Sequence, residues 1–263
     1  MEINYTETNR KLWNDKTDVH FKSAFYDVDA FLAGKSSLNP IELELLGDVK
    51  NKSLLHLQCH FGMDTISLSR LGANTVGVDF SDNAIQKAKE LAIQSKSNAK
   101  FVQSEIYQLE EKLNSEFDIV FTSYGAIGWL PDMFKWARIV KRFLKPNGIF
   151  VMVEFHPVLD MFSEDFSRIK YDYFNTGAVV EQIQGTYADR EAPIRNESVS
   201  WSHPLSEVIG ALMKNGLTIE VFEEHDYSPY DCFEKAVEIG NNKYQIQGLE
   251  KKIPMLYSIR ARR

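Results

Sequence analysis

Residues 53–81 read SLLHLQCHFGMDTISLSRLGANTVGVDFS, and this stretch decides the fold class. The run SLLHLQ at 53–58 is short, apolar and typical of a buried strand. Residues 65–71 have helical spacing of their apolar side chains and end at Gly72, a common residue at helix C-termini. TVGVDF at 75–80 is rich in β-branched residues and predicts a second strand. This order predicts a right-handed βαβ unit with parallel strands.

The same alternation continues to Glu154 and then resumes near the C-terminus. The stretch NAIQKAKELAIQ has one apolar face behind Ser81 or Asp82 as a helix cap, and a further helix is expected over 131–144 before a turn at KPNG. Five further strands are predicted, at AKFVQS (99–104), FDIVFTSY (117–124), GIFVMVEF (148–155), LTIEVFEE (217–224) and PMLYSIRAR (254–262). We therefore predict an α/β fold with a doubly wound, mostly parallel sheet of seven strands.

Other segments flank this core. Two β-rich stretches, GAVVEQIQGTYAD (177–189) and RNESVSW (195–201), predict a hairpin that serves as a lid. The N-terminal segment is rich in aromatic residues and predicts helices that cap the sheet. The expected parts of a single domain over 1–263 are a helical cap (1–50), the core (51–160), the lid insertion (161–203) and a C-terminal helix with edge strands (204–263).

Composition argues against several function classes. The chain has 263 residues, a net charge of −7 and scattered basic residues, which argues against a nucleic-acid partner. Two cysteines, Cys59 and Cys232, cannot build a disulfide framework and favour a reducing compartment. The polar N-terminus does not resemble a signal peptide, and no apolar run approaches the roughly 18 residues of a membrane span. We therefore predict a cytoplasmic protein without a membrane partner.

The candidate ligand site lies in the loops that follow the strands, because open parallel sheets bind ligands beyond the carboxyl ends of their strands. Loop 58–64 follows the first strand, and residues 123–125 follow the fourth. Asp79 ends the second strand, about 20 residues beyond the first loop, which suits an acid that holds ribose hydroxyls in nucleoside-binding folds.

Five segments, in their order and spacing, resemble the class I S-adenosylmethionine-dependent methyltransferases of the small-molecule type. The segments are LLHLQCHFG, VGVDFSDNAIQKAKELA, FVQSEIYQL, FDIVFTSYGAIGWLPD and FLKPNGIFVMVEF, between residues 54 and 154. The resemblance implies a Rossmann-like fold, S-adenosylmethionine as cofactor and S-adenosylhomocysteine as product. It also implies in-line transfer of the sulfonium methyl group to an acceptor. The aromatic cap, the hairpin after Pro157 and the acidic net charge favour a closed pocket for a small-molecule acceptor, and a macromolecular acceptor stays open within the same chemistry.

The resemblance implies residue roles as well. Loop 58–62 would pass beneath the methionine part of the cofactor, Asp79 would accept hydrogen bonds from the ribose hydroxyls, and Phe80 would pack on the adenine. Glu105 and the backbone amide of Ile106 would face the adenine edge. The full set of expected cofactor contacts is Trp13, Gln58, His60, Gly62, Thr65, Asp79, Phe80, Ser81, Glu105, Ile106 and Ser123.

The first loop departs from the family pattern of acid-x-Gly-x-Gly-x-Gly. Residues 56–62 read HLQCHFG, so the acid and two glycines are replaced by His56, Gln58 and His60. Glycine is favoured where the backbone needs a positive φ or lies close to a ligand. Either the loop takes another path or side chains such as Gln58 and His60 supply the cofactor contacts. The three-glycine loop of dinucleotide enzymes is also missing, which argues against a nicotinamide cofactor.

Catalysis of methyl transfer mainly requires alignment of the acceptor and exclusion of water, with a base where the acceptor must lose a proton. The candidate bases are Tyr124, expected near the sulfonium and the acceptor, and Glu154 and His156 after the fifth strand. His203 is a further candidate, and both histidines have an alternative interpretation as structural residues. No metal-ligand spacing occurs, so no metal site is predicted.

Two other functions stay open at this point. The altered first loop also fits a protein that binds S-adenosylmethionine as a sensor without catalysis. A nucleotide-dependent oxidoreductase is possible on the same sheet, since fold alone does not fix function. The acceptor, the methylated atom and the oligomeric state have no signal in the sequence.

Overall fold

The structure, a computed structural model, describes residues 4–263, so residues 1–3 of the predicted cap lie outside the described residues. The strands are β1 (Ser53–Leu57), β2 (Asn74–Asp79), β3 (Lys100–Gln103), β4 (Phe117–Thr122), β5 (Leu144–Phe155), β6 (Val179–Gln184), β7 (Arg195–Ser200), β8 (Thr218–His225), β9 (Ala236–Gly240), β10 (Lys243–Ile246) and β11 (Leu256–Arg262). The α-helices are α1 (Tyr5–Lys22), α2 (Val28–Leu32), α3 (Pro40–Leu46), α4 (Met63–Arg70), α5 (Asp82–Gln94), α6 (Met133–Phe143) and α7 (Leu205–Lys214). Short 3₁₀ helices span Ile106–Glu111, Ile127–Trp129 and Leu159–Met161.

Seven strands form the central sheet in the order β3-β2-β1-β4-β5-β11-β8. The first five are parallel, whereas β11 runs antiparallel to both β5 and β8. The predicted α/β class and the mostly parallel seven-stranded sheet are confirmed. The chain passes from β1 to β2 on one side and later reaches β4 on the other side. A topological switch point therefore lies between β1 and β4, where such sheets bind ligands.

Helices cover both faces of the sheet, which explains why its central strands are continuous apolar runs. In β1, Leu54, Leu55 and Leu57 are fully buried. On one face, α6 buries Trp136 completely, and the indole lies edge-on to the ring of Phe150 with centroids 5.4 Å apart.

The N-terminal cap is joined to the lid hairpin formed by β6 and β7, which pair antiparallel as predicted. The side-chain amide of Asn9 on α1 donates to the carbonyl of Val199 at 2.7 Å and accepts the N–H of the same residue at 3.0 Å. Asn9 thus satisfies both backbone groups of Val199 as a neighbouring strand would. The cap and the lid form one cover over the sheet.

Two features differ from the predicted elements. A second hairpin, β9 with β10, is absent from the prediction, although its turn at Asn241 and Asn242 has φ of 56° at both residues, as a type I′ turn requires. The turn expected at KPNG lies inside β5, where Asn147 has a φ of 64° and the register against β4 shifts. Asparagine tolerates this left-handed conformation, so the strand continues past an irregularity instead of starting after a turn.

The substitution Trp136→Ala should lower the free energy of unfolding by about 3–5 kcal/mol, because it leaves a large cavity between α6 and the sheet. Urea denaturation of both proteins measures the difference. The matched control is Phe134→Ala on the same helix, where the ring is 51% exposed, and its loss should stay below about 1 kcal/mol. Equal losses would contradict the assignment of Trp136 to the core.

Candidate active site

A cavity of about 1150 Å³ opens at the carboxyl ends of β1, β2 and β4. Its inner wall is formed by loop 58–64 and by residues 123–126. The cap, the lid residue Tyr187, and residues 227, 229–233 and 241–244 complete the lining. The cavity therefore lies at the switch point of the sheet, where the sequence predicted the ligand site.

The altered first loop keeps a backbone path suited to glycine. Gln58 and His60 stand at two of the family's glycine positions and have φ of 55° and 50°, in the left-handed region. Such values are uncommon for residues with side chains and cost free energy that other contacts must offset. The Gln58 side chain donates to the carbonyl of Ala126 at 2.7 Å and thereby links the loops after β1 and β4. At Gly62 a Cβ atom would lie 2.5 Å from the Phe101 ring, so glycine is required there.

Asp79 fastens this loop at the end of β2. Its carboxylate accepts the backbone N–H of His60 at 2.8 Å and that of Ser81 at 2.9 Å, and the residue lines the cavity. Burial raises the pKa of Asp79 to about 6, and the backbone hydrogen bonds oppose that rise. Ser81 itself caps α5 by accepting the N–H of Ala84 and does not line the cavity.

Seven of the eleven expected cofactor contacts line the cavity together, namely Trp13, Gln58, His60, Gly62, Asp79, Phe80 and Ser123. The other four, Thr65, Ser81, Glu105 and Ile106, do not. The Glu105 carboxylate accepts the N–H of Tyr107 at 2.8 Å and so caps a short 3₁₀ helix, and Ile106 is buried.

Thr65 acts on the cavity through a buried histidine. The Thr65 hydroxyl lies 2.9 Å from Nδ1 of His56, and Nε2 of the same ring lies 3.1 Å from the Ser123 hydroxyl. Burial lowers the pKa of His56 to about 3, so the ring is neutral at pH 7. The chain of hydrogen bonds fixes the direction of Ser123 at the end of β4.

A pair of neutral histidines, His20 and His60, supports the loop from the cap. Nδ1 of His20 lies 3.1 Å from Nε2 of His60, and the two rings stack with centroids 5.2 Å apart. Trp13 meets the His60 ring edge-on at 5.3 Å, and Tyr26 stacks on it at 5.7 Å. Burial lowers the pKa of both histidines, so neither ring carries charge at neutral pH.

Lys16 on α1 is a buried cation that lines the cavity. Only 6% of the residue is exposed, and Nζ lies over the rings of Trp13 and Trp129 at 5.0 and 5.5 Å from their centroids. Burial lowers its pKa to about 8, and among residues 4–263 no carboxylate lies within ion-pair distance to oppose that shift. A buried ammonium without a paired anion is unusual, because burying an unpaired charge costs free energy.

Acidic and phenolic groups gather around Tyr124, which lines the cavity. The Tyr124 hydroxyl donates to Glu42 of α3 at 2.6 Å, and Asn39 donates to the Tyr230 hydroxyl at 2.8 Å. Burial raises the pKa of Glu42 to about 7 and that of Asp64, at the start of α4, to about 6. Of these two desolvated carboxyl groups, Asp64 lines the cavity and Glu42 lies behind the cavity residue Tyr124.

Glu154 and His156 do not line the cavity, so the structure gives no support to either as the base. The Glu154 carboxylate accepts backbone N–H groups of the loop after β4, at 2.8 Å from Ala126 and 3.1 Å from Ile127, as well as those of Gly125 and Phe155. Its hydrogen-bonding capacity is used to hold this loop, which is a structural role.

Both candidate histidines beyond β5 are tied to structural partners. Nδ1 of His156 accepts the N–H of Val158, which leaves Nε2 to donate to Glu224 at 2.9 Å. His203 donates from Nε2 to the carbonyl of Leu130 at 2.8 Å, and it does not line the cavity. Within residues 4–263, no group of three or more His, Cys, Asp or Glu side chains is placed to hold a metal ion.

Four functional candidates are absent from the residues chosen on sequence: Lys16, Glu42, Asp64 and Tyr230. Asp64 could have been found, because it directly follows the loop that the resemblance singles out. Tyr230 lies just before the unpredicted hairpin, for which the Asn241-Asn242 pair was the available signal. Lys16 and Glu42 carry no local signal, since each lies on a cap helix outside the segments that form the sheet.

A family model described as a methyltransferase domain matches residues 48–206, which is more than half of the chain. An uncharacterized methyltransferase of Synechocystis is 33% identical over 129 residues, covering 48% of this chain and 57% of that protein. A ubiquinone biosynthesis O-methyltransferase of Erwinia tasmaniensis is 25% identical over 130 residues, covering 48% of this chain and 53% of that protein. The chain thus spans about half the length of the curated relatives it matches.

Solved structures extend the likeness over most of the fold. An S-adenosylmethionine-dependent methyltransferase from Mesorhizobium loti superimposes with a TM-score of 0.57 at 19% identity, covering 88% of this chain and 100% of that one. The complex of DhpI with S-adenosylhomocysteine gives a TM-score of 0.58 at 16% identity, covering 98% and 96%. At these identities the likeness shows the fold alone. The chain belongs to the methyltransferase-domain family and has the fold of S-adenosylmethionine-dependent methyltransferases.

Proposed function

We propose that this protein transfers the methyl group of S-adenosylmethionine to a small-molecule acceptor. The observation that carries the proposal is the first loop, which keeps left-handed backbone at Gln58 and His60 and is fastened to Asp79 beside the cavity. Backbone strain that is held in place by surrounding contacts clusters at active and binding sites, which supports a ligand at this loop.

The residues present fit the proposed cofactor. Asp79 is a buried acceptor at the end of β2 for the ribose hydroxyls, and Phe80 offers an apolar surface for the adenine. Lys16 and Asp64 bring opposite charges to the cavity, which match the carboxylate and the ammonium of the methionine part. The adenine contacts of Glu105 and Ile106 stay predictions, because neither residue lines the cavity.

The bound cofactor would supply an activated methyl group on a sulfonium. The chain itself would orient the acceptor and exclude water. Ser123, fixed by His56, and Tyr124, fixed by Glu42, border the cavity after β4 and are the residues best placed to face the reacting groups. The cap and the lid cover them, which limits the entry of water.

A small acceptor is supported by the cover that the cap, the lid and the segment before β9 form over the cavity. The related ubiquinone biosynthesis O-methyltransferase of Erwinia tasmaniensis, by its name, also acts in the biosynthesis of a small molecule. Within the described range, no helix combines the length and apolarity that a membrane span requires. The cytoplasmic location stays a prediction from cysteine usage, and the oligomeric state stays open.

Thermal unfolding with S-adenosylmethionine, S-adenosylhomocysteine and NAD in parallel tests the cofactor. Both sulfur ligands should stabilise the protein by about 2.7 kcal/mol at a hundred times their dissociation constants, and NAD should not. Stabilisation by neither sulfur ligand would reject the proposed cofactor. Binding of both sulfur ligands without methyl transfer to any acceptor in a radiolabelled-methyl screen would favour the sensor.

Asp79→Asn should weaken S-adenosylhomocysteine binding by about 1–3 kcal/mol, because the ribose hydroxyls lose a charged hydrogen-bond acceptor. Isothermal titration calorimetry measures the affinity, and unfolding of the free variant reports any damage to the loop that Asp79 fastens. Asp82→Asn is the matched control, since that nearby carboxylate is exposed and pairs with Arg10. An unchanged affinity in Asp79→Asn would remove Asp79 from the ribose role.

Lys16→Met should weaken S-adenosylhomocysteine binding by about 1.5–3 kcal/mol, the contribution expected of a hydrogen bond to a charged group. It should leave the affinity for 5′-methylthioadenosine unchanged, because that ligand lacks the carboxylate. Lys11→Met is the control on the same helix, where the lysine is exposed and pairs with Asp15. Equal losses for both ligands would show that Lys16 only supports the fold of the cap.

A further inference from the structure

We propose that Tyr124 and Glu42 take up, in two steps, the proton that the methylated substrate loses. Tyr124 is the catalytic residue that receives this proton, and Glu42 is its positioning residue, which receives the Tyr124 proton. This inference rests on the proposed function and extends it to the chemical class of the acceptor.

The geometry of the pair sets a direction for the proton. Tyr124 lines the cavity directly after β4, and its hydroxyl donates to Oε2 of Glu42 at 2.6 Å. The other carboxylate oxygen, Oε1, accepts the backbone N–H of Asn39 at 2.6 Å. The Asn39 side-chain amide donates to the Tyr124 hydroxyl at 3.5 Å, a long contact. Because the Tyr124 proton is committed to Glu42, the phenol oxygen keeps a lone pair for a second donor.

Glu42 is unusual for a carboxyl group at a helix start, since it is fully buried. Burial raises its pKa to about 7, which is suited to accepting a proton near neutral pH. A capping role for α3 alone would be met by an exposed glutamate. The buried location places the carboxylate behind the one phenol of the loop after β4.

The charged and titratable groups around Glu42 come from four other elements. Tyr124 follows β4, Tyr230 precedes β9, and Asp64 opens α4 and adds a like charge. Arg260 on the neighbouring strand β11 donates to the carbonyl of Leu45 at the far end of α3 and pairs with Glu220. Among the described residues, no cation forms an ion pair with Glu42.

A cationic ligand would therefore favour the ionised form of Glu42. As nitrogen or oxygen of the acceptor attacks the methyl carbon, its proton passes to the phenol oxygen of Tyr124, and the Tyr124 proton passes to Glu42. The carbon–sulfur bond breaks and its electron pair stays on sulfur. The sulfonium and carboxylate charges vanish together, so no net charge remains in the buried site.

The class of acceptor follows from this balance. The pair serves a neutral hydroxyl or amine that must lose a proton during transfer. It offers nothing to a tertiary amine or a thioether, which have no proton to lose. An anionic acceptor would be repelled by Glu42 and Asp64.

Proton release on cofactor binding tests the pair without a known acceptor. Calorimetry at pH 7 in buffers of different ionisation enthalpy should show about half a proton more released by S-adenosylmethionine than by S-adenosylhomocysteine, because only the former carries a sulfonium. Asp64, with a pKa of about 6, is mostly ionised at pH 7 and contributes about 0.1 proton at most. The excess should disappear by pH 8.5, where Glu42 is already ionised.

Glu42→Gln should abolish the excess release while the affinity for S-adenosylhomocysteine is retained. Glu44→Gln, at an exposed position on the same helix, is the matched control and should retain the excess proton release. An excess proton release below about 0.1 in the wild-type protein, or an excess that persists in Glu42→Gln, would overturn the proposed roles of Tyr124 and Glu42. The wild-type pH series decides the question even if the variant is unstable. Failure of both ligands to bind would instead reject the proposed cofactor.

Discussion

The carboxylate of Asp79 is the contact on which the site depends. It accepts N–H groups from His60 in the loop after β1 and from Ser81 at the start of α5. One side chain thereby joins two neighbouring strand ends and holds a left-handed residue without glycine. Gln58 makes the corresponding link to the loop after β4, where Glu154 gathers the backbone N–H groups. The switch point is thus preorganised by polar contacts to backbone.

The charges inside the cavity are not balanced by one another. Lys16 lies over two indole rings without an anion in ion-pair range among residues 4–263, while burial raises the pKa of Asp64 in the cavity and of Glu42 behind Tyr124. Separated buried charges cost free energy in the unliganded protein. A ligand that carries both an anionic and a cationic group would relieve that cost at both places. The cavity therefore suits a cofactor that carries an amino-acid group with both charges.

Prediction from sequence found the edge of the sheet at which the cavity lies. Asp79, Phe80 and loop 58–62 were predicted because they follow parallel strands, and strand ends meet at one edge of a sheet. Glu154 and His156 were chosen by the same rule, but both turn to structural partners. The direction of a side chain at a strand end depends on its neighbours in three dimensions. Sequence position alone therefore does not distinguish the residues that line the cavity from those that hold a loop in place.

Periodicity and β-branched runs determined the sheet, its parallel strands and the helices between them, because these depend on interactions within a few residues. The tertiary structure alone decided which distant groups meet. Lys16 reaches the cavity from one cap helix, Glu42 reaches the cavity residue Tyr124 from another, and Asn9 joins the cap to the lid. It also decided that Gln58 and His60 adopt the left-handed backbone conformation that usually requires glycine. Long-range hydrogen bonds offset that local cost, and no local pattern records them.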